Sequence, residues 1–412
     1  MEEIFRICVV SDGMPYQHGG AQLRAYRHTR MLRDAGIPTQ FVVWDRSLNK
    51  KSHNELPEFA HPIKLSAFPK NTTDRLQYSL QSFLHLVKIN FRLGKLLYKL
   101  RCEYDILHVI NVASLFSLSI VPWGRLLNKP VILEIVLMGS DDPLTLSKRE
   151  RQPDQQIFPH RPLKYSLFLR ANAYVCKSPP IQEACRKAGL PEEKLFLIPS
   201  GVDTDIFAPL PPAEKIALRG KLELPDEKLI ILFVGGMDER KGIQELIEAF
   251  DKVAVQNPYV HLLILGECEQ FENTHKKILN MISVRNLENR VTITGHKVRN
   301  VHQYMQTADI YVHPSHREGF SVAILEAMAS ALPIIATDIP TIAETQISID
   351  EQGLLVPVND IDALSEAIND LIINEKKRLD LGQAARKKVL ENYTIENALA
   401  QYIQLYEQIL SP

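Results

Sequence analysis

The 412-residue chain has room for two or three domains, and two lobes of about 200 residues would each bury a full core. With 45% hydrophobic and 24% charged residues it has the composition of an ordinary soluble globular protein, and a net charge of −1 says nothing about partners. Its five cysteines (Cys8, Cys102, Cys176, Cys185, Cys268) lack C-x-x-C spacing, which argues against a disulfide framework or zinc site and fits a reducing compartment.

The charge is unevenly placed. Residues 1–200 hold 28 Lys/Arg against 18 Asp/Glu, and the remainder holds 20 against 31. The first half is therefore the candidate for meeting an anionic surface or acceptor. Met1 to Val10 carries acids where a signal peptide needs a basic region. The best apolar stretch, Val109 to Trp123, falls short of the roughly 20 residues that span a bilayer and is broken by Asn111 and several serines. A cytoplasmic protein is expected.

Ile4 to Val10 reads as a buried strand, followed by a loop ending in Gly19-Gly20 and a helix from Ala21 to about Ala35, stopped by Gly36. Thr39 to Trp44 is the next strand. Strand, Gly-rich loop and helix at this spacing start a Rossmann-like unit, although the loop is not a G-x-G-x-x-G fingerprint. Further strands are predicted at Ile106–Val109, Val131–Val136, Ala173–Cys176 and Leu195–Ile198. Strands alternating with helices make a parallel α/β sheet. A boundary falls at Ile198-Pro199-Ser200-Gly201-Val202-Asp203, with Pro211-Pro212 beyond it. The pattern then restarts, with strands at Leu229–Val234, Val260–Leu265, Val291–Thr294, Ile310–His313, Ile334–Ala336 and Leu354–Val356. The last helix runs from about Ile395 to Leu410. The domains expected are 1–200 with about 394–412, and 201–393, two Rossmann-like lobes facing a central cleft.

The most informative stretch follows the strand Asp309–His313. His316-Arg317-Glu318-Gly319-Phe320-Ser321 leads into an apolar helix that stops before Pro333. A strand, a polar loop with Gly and a helix N-terminus make an anion site, because the first N–H groups of the helix are unpaired and the macrodipole adds about half a positive charge. Glu318 sits at the loop mouth and Glu326 about five residues into the helix. Acids beside an anion site suggest a ligand with hydroxyls to donate. Phosphate and hydroxyls together describe a nucleotide-sugar. A second anion-binding element, Gly235-Gly236 through Arg240-Lys241-Gly242, directly follows the first strand of the same lobe. Lys241 can reach a diphosphate and Arg240 can help.

Glu318 and Glu326, separated by seven residues in E-G-F-S-V-A-I-L-E-A-M-A, resemble the E-x7-E motif of retaining glycosyltransferases of family 4, with the GT-B fold. Ile198-Pro199-Ser200-Gly201-Val202-Asp203 resembles the family's linker, Lys241-Gly242 with Leu246–Phe250 its phosphate-loop helix, and Val291–Gly295 the strand before its base-binding loop. The resemblance implies that Glu318 contacts the transferred sugar and Glu326 the ribose. It implies that N–H groups near Gly319, Phe320 and Ser321 hold the diphosphate with Lys241, and that backbone near His296, Lys297 and Val298 reads the base. Gly19-Gly20 would let the first lobe approach the donor phosphates, and the C-terminal helix would cross back to the first lobe near Tyr393-Thr394. The chain departs from the family at Gly236, where an Arg is common, and at Met138, where a His normally lies near the sugar. Asp141 or His108 would take part of that role. In the family's Gly-Gly-x-Pro-Glu stretch, only Glu344 is kept.

No D-x-D motif is placed to hold a metal, so no metal or other cofactor is expected, and a UDP- or GDP-linked sugar is the donor. The function expected is retaining transfer to an acceptor hydroxyl in polysaccharide or glycolipid assembly. Alternatives are a catalytically silent nucleotide-sugar-binding protein, or an epimerase or phosphorylase of the same fold. The acceptor is a glycan, a lipid-linked molecule or a small molecule, with no nucleic acid. Lys88, Arg92, Lys95 and Lys99 form one helical stripe opposite Leu86, Leu93, Leu97 and Leu100. Two readings stay open there: an ordinary surface helix, or a basic helix that touches anionic lipid on the inner face of a membrane.

Overall fold

The protein is described by a computed structural model covering residues 5–13, 19–45, 57–64, 75–112, 114–138, 142–147, 161–266, 271–294, 300–348 and 350–411. The chain divides into two compact units, one of Met1–Lys177, Ile181–Ile198 and Leu399–Pro412, the other of Ser178–Pro180 and Pro199–Ala398.

The first unit is built on a sheet of seven strands among the described residues: β1 (Ile7–Ser11), β2 (Thr39–Asp45), β3 (Ala60–Lys64), β4 (Ile106–Ile110), β5 (Val131–Ile135), β6 (Ala173–Cys176) and β7 (Leu195–Leu197). Their order is β3-β2-β1-β4-β5-β6-β7, and every pairing is parallel. Alternate residues of β1 enter different cores: Cys8 and Val10 join one cluster, Ile7 and Val9 the other. That is why the strand reads as one unbroken apolar run. The edge strand β3 escapes the sequence reading. Its Pro62 has no N–H to donate, which only an edge position tolerates. The first helix begins at Gly19 rather than Ala21, so both glycines belong to its opening turn.

The second unit repeats the plan with β8 (Leu229–Val234), β9 (Val260–Leu265), β10 (Val291–Ile293), β11 (Ile310–His313), β12 (Ile334–Thr337) and β13 (Gly353–Val356). The order β10-β9-β8-β11-β12-β13 is again all parallel. Each sheet reverses its direction of growth once, between β1 and β4 and between β8 and β11. Open α/β sheets bind ligands at such a switch point, outside the strand carboxyl ends. The linker is held by backbone pairing: Val202 bridges Thr394, and its N–H donates to Tyr393 O at 2.9 Å. Gly201 is required there, since a Cβ would lie 2.5 Å from Thr394 O. Among the described residues, no helix is long and apolar enough to cross a membrane.

Inside the first unit lies a buried polar network. Glu134 of β5 is 3.2 Å from Lys177 Nζ, and the Tyr402 hydroxyl donates to its other oxygen at 2.6 Å. Lys177 also bonds Tyr402, and the Tyr406 hydroxyl joins His108 Nδ1 (2.8 Å) to His28 Nε2 (2.9 Å). Burial pushes the Lys177 ammonium down to about 8, with Glu134 opposing. Burial also raises the Glu134 carboxyl, but Lys177 and the two histidines outweigh it and hold Glu134 well below the carboxylate range. The network ties the C-terminal helix, Ile395–Leu410, to β4, β5 and the first helix.

Breaking a buried pair strands a charge, whereas removing both partners does not. Glu134→Gln is expected to destabilise the protein by about 3 kcal/mol, and adding Lys177→Met to recover much of that loss, as read by thermal melting. Acid has a defined effect too. Burial lowers the pKa of both His28 and His108, so below about pH 6.5 the unfolded chain takes up protons that the folded chain refuses. Stability should fall as the pH drops from 7 to 5, and a melting temperature unchanged over that range would contradict it.

Candidate functional site

The loops after β8 and β11 emerge side by side at the switch point of the second sheet. Asp238 caps the 3-10 turn Glu239–Lys241 by accepting from Arg240 N, and Gly242 then opens the helix Ile243–Gln256 in the left-handed region at φ 67°. A Cβ at Gly242 would lie 2.0 Å from Pro314 O, so the two loops approach more closely than any other residue permits. His316 N donates to Arg240 O at 2.8 Å, and Arg240 reaches Arg317 O at 3.2 Å.

This contact delivers Lys241 to Glu318. The Lys241 ammonium is 2.5 Å from Glu318 Oε1, with Arg240 at 3.8 Å and His313 Nε2 at 3.0 Å from the same oxygen. Glu318 is buried, only 7% exposed, and burial raises its carboxyl. Lys241, the His313 hydrogen bond and Arg240 outweigh burial and hold the group well below the carboxylate range. Burial also lowers the His313 pKa and Glu318 restores it only in part, so the ring is neutral near pH 7. A carboxylate can only accept, so His313 Nε2 carries the proton and Nδ1 accepts from the Tyr311 hydroxyl at 3.1 Å. Ser315 Oγ lies 3.1 Å from the same Nε2.

Ser321 caps the helix Val322–Ala329, its side chain accepting from Ile324 N. Glu326 is the fifth residue of that helix and is buried. It lies near Tyr311, whose phenol is raised well above its usual range by burial, Glu326 and Glu318. The loop backbone is clamped from beyond β12: Thr341 Oγ1 donates to Glu318 O at 3.0 Å, and Gln346 Nε2 to Ser321 O at 2.7 Å. Gln346 Oε1 in turn accepts from Ser321 N at 3.1 Å, so that N–H, expected at the diphosphate, is engaged within the protein. Gly319 is buried with Phe320, which packs into the core against Tyr393. At Gly236, a Cβ would approach the Phe271 ring to 3.1 Å, so Phe271 occupies the space beside the missing arginine.

Lys241, Arg240 and Glu318 thus meet beside the helix that Ser321 caps, and Glu326 stands midway along that helix. His313, Thr341 and Gln346 were not singled out from the sequence. A His closing an apolar strand before Pro314 was the available signal for the first, while the other two depend on tertiary contact. Asp141, His296, Lys297 and Val298 lie outside the described residues. His108 cannot stand in for the histidine absent at Met138, because it is fully buried and bonded to Tyr406. Met138 packs against the core of the first sheet. Gly19 and Gly20 open the first helix, and a Cβ at Gly20 would meet nothing within 4 Å. At the switch point of that sheet, Asp12 Oδ1 accepts from Gln22 (3.0 Å) and from Asn111 (3.3 Å), and Asn111 has a left-handed φ of 69°.

Two family models match the chain: Glycosyltransferase Family 4 over residues 18–206, and Glycosyl transferases group 1 over residues 214–388. The chain belongs to glycosyltransferase family 4. An N-acetyl-alpha-D-glucosaminyl L-malate synthase of Bacillus anthracis is 26% identical over 47% of this chain and 49% of its own length. An N,N'-diacetylbacillosaminyl-diphospho-undecaprenol alpha-1,3-N-acetylgalactosaminyltransferase of Campylobacter jejuni is 31% identical over 59% and 62%. The chain thus spans about half the length of the curated relatives it matches. Two solved structures share its GT-B fold: sucrose-phosphate synthase from Thermosynechococcus elongatus (23% identity, TM-score 0.75, 98% and 99% of the two chains) and Anabaena Alr3699/HepE in complex with UDP-glucose (19%, 0.75, 98% and 99%).

Gly242→Ala tests the loop contact. A side chain there must be forced into left-handed backbone and away from Pro314 O, so a loss of at least about 2 kcal/mol is expected in thermal or urea unfolding. A wild-type melting curve would mean that the two loops do not need this approach.

Proposed function

We propose that the protein transfers a sugar from a UDP- or GDP-linked donor to an acceptor hydroxyl with retention of configuration. The observation that carries this reading is Lys241 of the β8 loop meeting Glu318 of the β11 loop beside a helix N-terminus. In this reading the donor diphosphate takes Lys241 and the helix end, while Glu318 and Glu326 accept hydrogen bonds from sugar and ribose hydroxyls. The bond from the anomeric carbon to the diphosphate oxygen breaks, and the acceptor oxygen bonds that carbon on the same face. The departing phosphate takes the acceptor's proton. Stabilising the negative charge on the leaving diphosphate is the protein's main task, and a preformed cation with helix dipoles does that without solvent reorganisation.

Lys241 and the helix end supply that positive charge themselves, which supports transfer without a metal cofactor. The acceptor is a glycan, a lipid-linked molecule or a small molecule, in the assembly of a polysaccharide or glycolipid. The positive surplus of the first half supports an anionic acceptor or an anionic membrane surface on the cytoplasmic side, met through Lys88, Arg92, Lys95 and Lys99.

A thermal-shift screen of UDP, GDP and their sugars identifies the donor, since a ligand of the folded state raises its melting temperature. With that donor, Lys241→Ala and Glu326→Ala should each lower kcat/KM by at least about tenfold, roughly 1.4 kcal/mol of transition-state binding. Wild-type kinetics in both variants would sink the site assignment. Donor binding without turnover would favour the silent binding protein. Activity abolished by EDTA and restored by a divalent cation would overturn metal independence.

A further inference from the structure

The helix Arg75–Lys99 contains no Asp or Glu, and the structure divides its outer surface into two stripes. Lys88, Arg92, Lys95 and Lys99 are all exposed. Beside them Leu84, Val87, Phe91 and Tyr98 are exposed by 49%, 50%, 71% and 57%. At about 100° per residue, each stripe covers an arc of about 60°, and the two adjoin. Ile89, Leu93, Leu97 and Leu100 occupy the opposite side and are buried in the core of the first sheet. A helix that only shielded that core would need one apolar face. This one has two.

A neighbouring helix packs beside this second face. Gly94 lies at the edge of the exposed apolar stripe, where a Cβ would come within 2.0 Å of the Trp123 ring. Trp123 belongs to the helix Ile120–Leu126, and Leu126, three residues on, is 72% exposed next to the exposed Arg125. The exposed patch is therefore a row of four large apolar side chains along the Arg75–Lys99 helix, bordered by cations and free of acids along that helix.

We propose that this face inserts into the headgroup boundary of an anionic bilayer, with Phe91 and Tyr98 at the lipid side and the four cations on lipid phosphates. The inference deepens the anionic-surface reading above, from electrostatic contact to insertion. A soluble acidic partner would use the cations but leave the apolar row in water, and a second copy of this chain would bring like charge against like charge. A bilayer with acidic headgroups satisfies both stripes at once, since interfacial helices bury their apolar face while long basic side chains reach the phosphates.

Co-sedimentation with vesicles of phosphatidylcholine containing about 30% phosphatidylglycerol, at low salt and at about 0.5 M salt, separates the cases, because salt screens charge but not apolar burial. The protein should bind the anionic vesicles, ignore pure phosphatidylcholine at low salt, and keep a measurable part of its binding at high salt. Phe91→Ser and Tyr98→Ser should each cut the salt-resistant binding at least about fivefold, with unchanged melting temperature and unchanged donor-induced thermal shift. Binding that salt abolishes and that ignores both substitutions would overturn insertion while leaving the electrostatic reading. No binding to anionic vesicles would overturn both, as would self-association that Phe91→Ser removes. None of these results bears on sugar transfer, which the donor shift and turnover report separately.

Discussion

The second lobe is organised by one carboxylate that cannot be left alone. Glu318 is buried at a strand end, where an unpaired charge would be severely penalised, so the fold brings Lys241, Arg240 and His313 to the same oxygen. That requirement explains the tight approach of the two loops, the left-handed Gly242 and the clamps from Thr341 and Gln346. It also sets the local charge. Arg240 is paired with Asp238 at 2.9 Å, Lys241 with Glu318, and His313 is neutral, so these five groups carry no net charge before a ligand arrives. An anion alone would have to displace Glu318 from Lys241 and leave a buried carboxylate uncompensated. A ligand that brings hydroxyl donors along with its phosphates compensates Glu318 as it takes Lys241. Such an exchange would favour a ligand that carries both phosphates and hydroxyls over a bare phosphate.

The first lobe uses the same sheet plan differently. Its ionisable network, Glu134 with Lys177, His28, His108 and two tyrosines, is buried inside the fold. One oxygen of Glu134 accepts from Tyr402 and the other pairs with the Lys177 ammonium, so the network fixes where the C-terminal helix docks. Buried ion pairs of this sort are weak as sources of stability but demanding about geometry. At the switch point of this sheet the polar groups are Asp12, Gln22 and Asn111, a carboxylate and two amides held by β1, the first helix and the end of β4. Asn111 sits in left-handed backbone, a conformation that asparagine tolerates better than other side-chain-bearing residues.

These contrasts explain what could be read from the residues alone. Parallel strands covered on both faces are predominantly apolar, and the runs at Ile7, Leu229, Val260 and Ile310 declare themselves. The strand at Ala60 does not, because an edge position lets Pro62 and polar neighbours interrupt the pattern. The Glu318 to Glu326 spacing and Lys241 were legible because each is a charge where the local pattern calls for a loop or an apolar helix. Their electrostatic partners were not. His313 sits in an apolar strand like any core residue, and Gln346 lies 25 residues from the serine it clamps. Glu134 and Lys177 pass for surface charges until the strands are stacked and the C-terminal tyrosines are placed over them. Sequence spacing finds groups that share one element, whereas a polar network assembled from five elements is visible only after folding.

Charge distribution poses a final constraint on how the donor is held. The half of the chain from residue 201 onward has a surplus of 11 acids, yet the proposed donor is a dianion. The long-range field of that half opposes the ligand, so binding cannot rest on net charge. At physiological salt such a field is screened beyond about 8 Å, and what remains is contact: a cation already in place, a helix end and oriented acceptors. The basic half faces the opposite situation. Its helix from Arg75 to Lys99 offers repeated cations along one exposed line, a geometry suited to an extended anionic plane and wasteful for a single small ligand. The two halves thus divide the electrostatic work by range, with local pairing at the strand ends of one and a surface field along a helix of the other.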